Sequence, residues 1–203
     1  MNEALYTIGH SNRTLEEFLG ALQAHGITAV ADVRSQPYSR MYPHFDREVL
    51  ADSLKAQGIA YVFLGKELGA RSPDPSCYEN GKVRFDRLAR TAVFQEGLER
   101  VKQGMAQYRV ALLCAEREPL ACHRTILVAR HLSLRGVNIR HILDEATVEE
   151  HERTTERLLR ERELTEANLF ADQQQLIDDA YNEQAKRIAY ERDEAAVATD
   201  AAN

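Results

Sequence analysis

The sequence predicts an α/β protein of the Rossmann-like, three-layer kind, with a mostly parallel sheet of about five strands. Short apolar runs alternate with longer amphipathic segments along residues 1–144, which is the pattern of βαβ units. The run Val110–Leu113 is apolar at every position, as in strands covered on both faces. Glycines such as Gly26, Gly58 and Gly136 follow the amphipathic segments, where helices commonly end.

Five strands and the intervening helices follow from these patterns. The predicted strands are Ala4–Gly9, Ile27–Val33, Ile59–Leu64, Tyr108–Cys114 and Val137–Leu143. The predicted helices are Thr14–His25, Asp46–Gln57 with Asp46 as its cap, Phe85–Gln107 with a break near Gly97 or Gly104, and Pro119–Leu134. Because strands that alternate with helices form right-handed βαβ units, we expect one parallel sheet.

Two segments stand outside this alternation. Gly65–Lys82 is rich in Gly and Pro and is long for a connection, so it is either a lid or binding loop or a disordered excursion. Ala146–Asn203 has no Gly, no Pro and no strand pattern, which predicts one or two charged helices with a frayed end, Ala195–Asn203. We therefore expect an α/β domain over residues 1–145 and an acidic helical extension over 146–203 that is dispensable for folding.

Composition predicts a cytoplasmic protein with reduced thiols. No run approaches the roughly 18 apolar residues of a membrane span, and the first residues lack the basic and apolar regions of a signal peptide. The three cysteines are an odd number, which argues against a disulfide framework. The net charge of −6 divides unevenly, because residues 1–144 carry 19 basic and 16 acidic side chains whereas 145–203 carry 7 and 16. We expect the acidic extension to compete with anions for a basic site.

Side chains with functional chemistry follow the predicted strands at their carboxyl ends, where open parallel sheets bind ligands. The candidates for catalysis are Cys122, His123, Cys114, His10, Asp32 and Glu116, and the candidates for anion binding are Arg34, Arg40, Arg124, Ser11 and Asn12. Structural alternatives stay open: His10 as a cap, Asp32 with Arg34 as an ion pair, and Cys114 as a small core residue. Arginine makes up 21 of the 26 basic residues, which reflects either genome composition or anion recognition.

The cysteines differ in their expected environment. Cys122 lies near a predicted helix start beside His123 and Arg124, which favours a thiolate, so it is expected to be the most reactive thiol. Cys114 ends an apolar strand and is expected to be more buried. The cofactor is left undetermined, and no metal ligand is assigned. A divalent metal is one candidate, with Cys114, Cys122, His123 and His10 as its possible ligands.

Several blocks of this sequence resemble one known family. The blocks are Tyr6–Asn12, Asp32–Arg34 with Pro37, Ser39 and Arg40, Leu112–Glu116, and Cys122–Arg124. They resemble the family called domain of unknown function 488, over roughly residues 4–143. The resemblance implies a compact α/β domain and the same site residues, and it implies no reaction.

Three functions remain open at this point. The first is an enzyme acting on a nucleotide or on a base within nucleic acid, in which Arg34, Arg40 and Arg124 hold phosphate and the cysteines act as nucleophile or metal ligand. The second is a non-catalytic module that binds a phosphorylated molecule or nucleic acid. The third is a metal-binding or redox-sensing protein. No membrane partner is expected, and the C-terminal helices are candidates for a homodimer contact.

Overall fold

The computed structural model describes residues 4–164 and 172–192, which form an α/β fold around one six-stranded sheet. The strands are β1 (Leu5–Gly9), β2 (Ala29–Asp32), β3 (Ala60–Phe63), the hairpin β4 (Tyr78–Glu79) and β5 (Lys82–Val83), β6 (Val110–Cys114), β7 (Ile139–Ile142) and β8 (Val148–Glu150). The sheet order is β3-β2-β6-β1-β7-β8. All neighbours are parallel except β7 and β8, so the five predicted parallel strands are confirmed.

Helices cover both faces of the sheet. They are α1 (Leu15–Ala24), α2 (Arg47–Ala56), α3 (Gly65–Leu68), α4 (Phe85–Leu88), α5 (Ala92–Met105), a π-helix (Arg124–Ala129) continued by α6 (Arg130–Ser133), α7 (His151–Glu161) and α8 (Gln173–Ile188). Apolar residues of α1 and α2 pack on one face, and those of α4, α5, α7, α8 and the π-helix pack on the other. The core therefore has two halves separated by the sheet.

Several local predictions are wrong for identifiable reasons. The helix expected over Phe85–Gln107 breaks at residues 89–91, where the Thr91 side chain caps α5, and Gly97 lies inside α5 against Leu68. Asp46 occupies the N-cap position of α2, but its carboxylate accepts from the Ser39 amide instead. The Gly65–Lys82 segment folds into α3, a 3-10 turn and most of the β4–β5 hairpin.

The C-terminal extension contributes to the sheet and to the core. Val148–Glu150 forms β8, which corrects the expectation that no strand follows residue 146. Leu158 of α7 and Tyr181 of α8 are buried in the same core half as Leu112 of β6. The predicted frayed end, residues 195–203, lies outside the described residues. No helix among the described residues is long and apolar enough to cross a membrane.

Candidate functional site

The site forms at the carboxyl end of the central strand β6. In the sheet register, Gly9 of β1 lies beside Cys114, and Asp32 of β2 lies beside Leu113. The chain leaves β6 and turns through Glu116 before Pro119 opens a 3-10 turn. Because β6 is flanked by parallel strands on both sides, its end carries side chains into the crevice that such sheets use for ligands.

Cys122 does not lie in the first turns of a continuous helix, as the sequence suggested. Pro119–Ala121 is a 3-10 turn, and Cys122 follows it with extended backbone angles, φ −132° and ψ 137°. The π-helix begins two residues later. This break turns the Cys122 side chain back toward β6. The environment of its thiol is therefore set by contacts with β6 and the loop that follows it, and not by the dipole of a helix.

Four donor side chains converge here, and we call them the thiol cluster: Cys114, Glu116, Cys122 and His123. Their donor atoms all lie within 4.8 Å of one another. The Glu116 Oε2 atom is 3.1 Å from the Cys114 Sγ and 2.9 Å from the Cys122 Sγ, and the His123 Nδ1 atom is 3.5 Å from the Cys114 Sγ. Cys122 is 1% exposed and Cys114 is 3% exposed, so the expectation that Cys114 is the more buried thiol is wrong.

The pKa values of the two thiols shift in opposite directions. Burial opposes the ionisation of Cys122, but its contact with Cys114 and the positive charges of Arg124 and His123 outweigh it and hold its pKa well below the ordinary value. Burial and the Cys122 thiolate together raise the pKa of Cys114 well above its ordinary value. The pKa of Glu116 is raised by the same two causes. Three side chains that can carry a negative charge, Cys114, Glu116 and Cys122, therefore lie in contact with one another.

The His123 ring has a defined orientation. Its Nε2 atom lies 3.0 Å from the Val33 carbonyl oxygen, which only accepts, so Nε2 carries a proton. The Nδ1 atom therefore faces the sulfur atoms. Burial by itself lowers the pKa of His123. Its contact with Cys122 acts in the opposite direction, and the net shift of the pKa is upward. A proton or a metal ion on Nδ1 fits this arrangement.

Arg124 supports the loop that carries Glu116. Its guanidinium group is fully buried and donates to the carbonyl oxygens of Glu116 and Arg117, while its backbone amide lies 3.4 Å from the Cys122 Sγ. Gly9 packs against the same loop, because a Cβ atom there would lie 1.8 Å from the Glu116 carbonyl oxygen. Arg124 therefore stabilises the loop of the site from within the protein, whereas the sequence suggested that it binds an anion.

A second cluster at the same edge consists of Asp32, Arg34 and Tyr61, and we call it the ion-pair cluster. The Arg34 Nη2 atom lies 2.6 Å from the Asp32 Oδ2, its Nε is 2.9 Å from the Oδ1, and the Tyr61 hydroxyl donates to Asp32 at 2.8 Å. Burial lowers the pKa of Arg34, but the hydrogen bonds to Asp32 outweigh it and the net shift is upward. The structure thus shows the buried ion pair that the sequence left open.

Other predicted residues lie apart from the thiol cluster. His10 stacks on Phe45 at 4.3 Å, and burial followed by the charge of Arg34 lowers its pKa to about 4. The backbone amides of His10 and Ser11 donate to carbonyl oxygens at the end of β6, so this turn is not an open anion nest. Asn12 lines a separate cleft, and Arg40 is exposed. His10 is accordingly not part of the four-donor group.

The thiol cluster lies at the floor of a cavity of about 340 Å³. Cys114, Glu116 and His123 line it, whereas Cys122 lies behind them. The other lining residues come from the loops after β2, α3 and β6 and from the C-terminal segment: Arg34, Ser35, Gln36, Tyr38, Ala70, Arg71, Ala115, Ala121, Ile188 and Tyr190. The cavity is therefore closed partly by residues beyond position 146.

Arg71 and Tyr190 are site residues that the sequence reasoning missed. The Arg71 guanidinium lies 4.3 Å from the centre of the Tyr190 ring and donates to the Gln36 side chain at 2.6 Å. An arginine within a loop rich in Gly and Pro is a usable signal for the first residue. No sequence pattern indicated Tyr190, because its position beside the cavity depends on how α8 packs against the rest of the protein.

Fold and site together define a class: an α/β protein with buried Cys and His side chains beside an exposed Glu at the carboxyl edge of a parallel sheet. The family model described as "Domain of unknown function DUF488" matches residues 14–131, which include the whole thiol cluster. The match covers more than half of the chain, and the protein belongs to this family. Comparisons with curated proteins and with solved structures gave no match.

Proposed function

We propose that the protein is a metal-dependent hydrolytic enzyme whose centre is the thiol cluster and whose substrate is a nucleotide or nucleobase. The observation that carries this proposal is the convergence of four ligand-type donors within 4.8 Å at the floor of a cavity. Two sulfur atoms and an imidazole are a ligand set found in catalytic zinc sites, which keep the fourth tetrahedral position for water or substrate, and the carboxylate lies beside them.

Charge balance supports a cation at this position. Two cysteine side chains and a carboxylate lie in contact, and the pKa values of Cys114 and Glu116 are raised by burial and by interaction with Cys122. A divalent ion would replace the protons that these groups and His123 retain. Donor atoms about 3.3–3.8 Å apart suit zinc, with bonds of about 2.0–2.3 Å, and the Cys114 Sγ and His123 Nδ1 atoms already lie 3.5 Å apart.

The surroundings of the donors also suit a metal. The His123 Nε2–H group donates to the Val33 carbonyl oxygen, the outer contact that orients a ligating imidazole. The Arg124 amide contacts the Cys122 Sγ from outside the cluster. Both contacts fix donor directions before any ion binds.

Three ligands and one proton carrier are the division of roles that we propose. Cys114, Cys122 and His123 would hold the metal, which would supply hydrolytic chemistry by lowering the pKa of a bound water. Glu116 accepts the proton of the attacking water and returns it to the departing group. Its position suits both steps, because the Glu116 Oε2 atom lies against the sulfur atoms of two proposed ligands.

The cavity favours a polar, nucleotide-sized substrate. Its volume of about 340 Å³ lies within the usual range of small-molecule sites. The Tyr38 ring is 60% exposed beside the cavity, and Arg71 presents its guanidinium next to Tyr190. An aromatic face and a guanidinium group recognise a base and an anionic group, respectively. Hydrolysis of an exocyclic C–N bond of a base, with release of ammonia, is the reaction that we expect.

The module that binds phosphate through arginines alone has less support. Arg124 is fully buried on backbone carbonyls, and Arg34 is paired with Asp32. Of the three predicted arginines, only Arg40 is exposed, and it is not among the residues that line the cavity.

Ammonia and phosphate release from a panel of nucleotides, nucleosides and bases tests the proposal with zinc-loaded protein. We expect ammonia release that falls by about 10²-fold or more in Glu116→Gln, the range for loss of a general acid–base group. Glu118→Gln is the matched control, because Glu118 is half exposed and pairs with Arg157. Activity that is equal in Glu116→Gln and wild type would overturn the assigned role of Glu116.

A further inference from the structure

A continuous line of buried hydrogen bonds links Arg124 to the C-terminal helices. We call it the histidine chain, and its members are Thr7, His141, His151, Tyr181 and Thr155. The Arg124 Nε lies 3.4 Å from the Thr7 Oγ1, which is 2.8 Å from the His141 Nδ1. The His141 Nε2 is 3.0 Å from the His151 Nδ1, and the His151 Nε2 is 3.3 Å from the Tyr181 hydroxyl. The chain crosses from β1 through β7 to α7 and α8.

Both ends of the histidine chain have a fixed polarity. At one end the Arg124 guanidinium can only donate. At the other end the Tyr181 hydroxyl lies 2.9 Å from the Thr155 Oγ1, which donates to the His151 carbonyl oxygen, a group that can only accept. A single direction of donation therefore satisfies every bond, and it requires His141 and His151 to be neutral with the proton on Nε2.

The Arg124 end of the chain lies directly behind the thiol cluster. The guanidinium that donates to Thr7 also holds the Glu116 and Arg117 carbonyl oxygens, and the same residue's amide contacts the Cys122 Sγ. Among the described residues, no carboxylate forms a salt bridge with Arg124, so neutral acceptors fix this charged group. The orientation of Arg124 thus depends on Thr7, and that of Thr7 depends on His141.

We infer that His141 is a positioning residue for the thiol cluster, acting through Thr7 and Arg124, and that α7 and α8 complete this support. His141 touches neither the cavity nor the four donors, yet its loss removes the acceptor that orients the Thr7 hydroxyl. His151 and Tyr181 hold His141 from the far side. The C-terminal extension is thereby part of the working site, beyond its contribution to the core.

A merely structural role for His141 predicts a different outcome. If the chain only stabilises the fold, its loss increases opening throughout the protein, and every buried thiol becomes more reactive. If it positions the thiol cluster, Cys122 is exposed selectively. Cys77 is an internal reference, because it is fully buried in the 3-10 turn before the hairpin and forms no side-chain hydrogen bond with a member of the histidine chain among the described residues.

The test is the ratio of Cys122 to Cys77 alkylation by iodoacetamide, mapped by mass spectrometry, in metal-free full-length protein. In His141→Leu we expect this ratio to rise by about fivefold to tenfold, the factor that one lost hydrogen bond produces in a local opening equilibrium. His141→Gln, which can still accept and donate, is expected to restore most of the wild-type ratio. His131→Leu is the matched control, because His131 follows the π-helix but bonds only the Leu127 carbonyl oxygen within its own turn.

An unchanged ratio in folded His141→Leu overturns the inference. If that variant does not fold, Tyr181→Phe removes only the far hydroxyl, and it must raise the ratio in the same direction for the inference to stand. Zinc affinity is a second readout that rests on the proposed function: we expect its dissociation constant to rise about tenfold in His141→Leu. Failure of wild-type protein to bind zinc would refute the metal centre, while the alkylation ratio would still test the positioning role.

Discussion

The ion-pair cluster and the thiol cluster lie at the same edge of the sheet and differ in how their charges are balanced. In the first, the buried Asp32 carboxylate meets a bidentate Arg34 and the Tyr61 hydroxyl. In the second, two thiols and Glu116 crowd together beside His123, and the nearby guanidinium groups of Arg124 and Arg34 are committed to backbone carbonyls and to Asp32, respectively. The first cluster is complete as it stands, whereas the second is the one for which we propose a cation.

Removing one carboxylate from each cluster gives the largest expected contrast. Asp32→Asn leaves Arg34 buried without its partner, which is expected to cost about 3–5 kcal/mol of unfolding free energy. Glu116→Gln removes an uncompensated negative group, so metal-free protein is expected to lose no stability. Denaturant unfolding of both variants measures the difference.

The control for this comparison is Glu79→Gln, whose exposed pairs with Arg84 and Arg87 are expected to contribute at most about 1 kcal/mol. If Glu116→Gln costs as much as Asp32→Asn in the metal-free protein, the two clusters are not distinguished by charge balance.

The histidine chain is a third set of polar side chains in the protein. The direction of donation described above is satisfied when His141 and His151 are neutral. Burial lowers the pKa of His151 to about 4; Arg130 lowers it as well, while Glu152 and Glu149 oppose the shift. His141 is lowered well below its ordinary pKa by burial and by the charges of His151, Arg124 and Arg157. Because the unfolded chain binds these protons first, stability is greatest above pH 6.5 and falls as pH drops toward 4.

For His151 alone, the loss across that interval is about 3 kcal/mol. Unfolding measured at a series of pH values checks this, and His151→Gln should have a shallower slope because one of the titrating groups is gone. An identical slope in His151→Gln and wild type would show that His151 does not carry the effect. His10, which also has a lowered pKa, remains in both proteins.

Gly9 tests whether the Glu116 loop must lie close to β1. In Gly9→Ala, the new Cβ would meet the Glu116 carbonyl oxygen at 1.8 Å, so the loop must move, at an expected cost of about 1–3 kcal/mol and with weaker zinc binding. In Gly104→Ala the nearest neighbour is a Val110 methyl group at 3.7 Å, and this helical site is expected to gain about 0.5–1 kcal/mol. Thermal melts and zinc titrations of the two variants compare them. Equal behaviour would argue against the close approach.

Among the changes within the two clusters that are expected to destabilise the protein, the smallest effect is that of Tyr61→Phe in the ion-pair cluster. It removes one hydrogen bond to Asp32 and leaves the salt bridge intact, so we expect a loss of about 1–2 kcal/mol and no change in zinc affinity. Denaturant midpoints and zinc titration measure both. A fall in zinc affinity as large as that in Gly9→Ala would mean that the two clusters are coupled.

Local sequence patterns predicted the parallel sheet and the edge at which the site lies. They also selected Cys114, Glu116, Cys122 and His123, because Cys114 ends the apolar strand β6 and the other three lie in the segment that follows it. They failed where non-local contacts decide. The π-helix after Cys122 and the strand β8 have no periodic signature, and the inward direction of Arg124 depends on the loop that it binds. The same is true of His141, whose role depends on Thr7, 134 positions away.

Zinc stoichiometry, measured on full-length protein prepared without chelator and then titrated with zinc, tests the central claim most directly. The account predicts one tightly bound ion per chain, with protons released on binding because thiols and imidazole must give them up. Cys114→Ser and Cys122→Ser should abolish tight binding, and His10→Gln should retain it. The absence of tight binding in the wild-type chain, or tight binding that survives Cys122→Ser, would contradict the metal centre proposed for the thiol cluster.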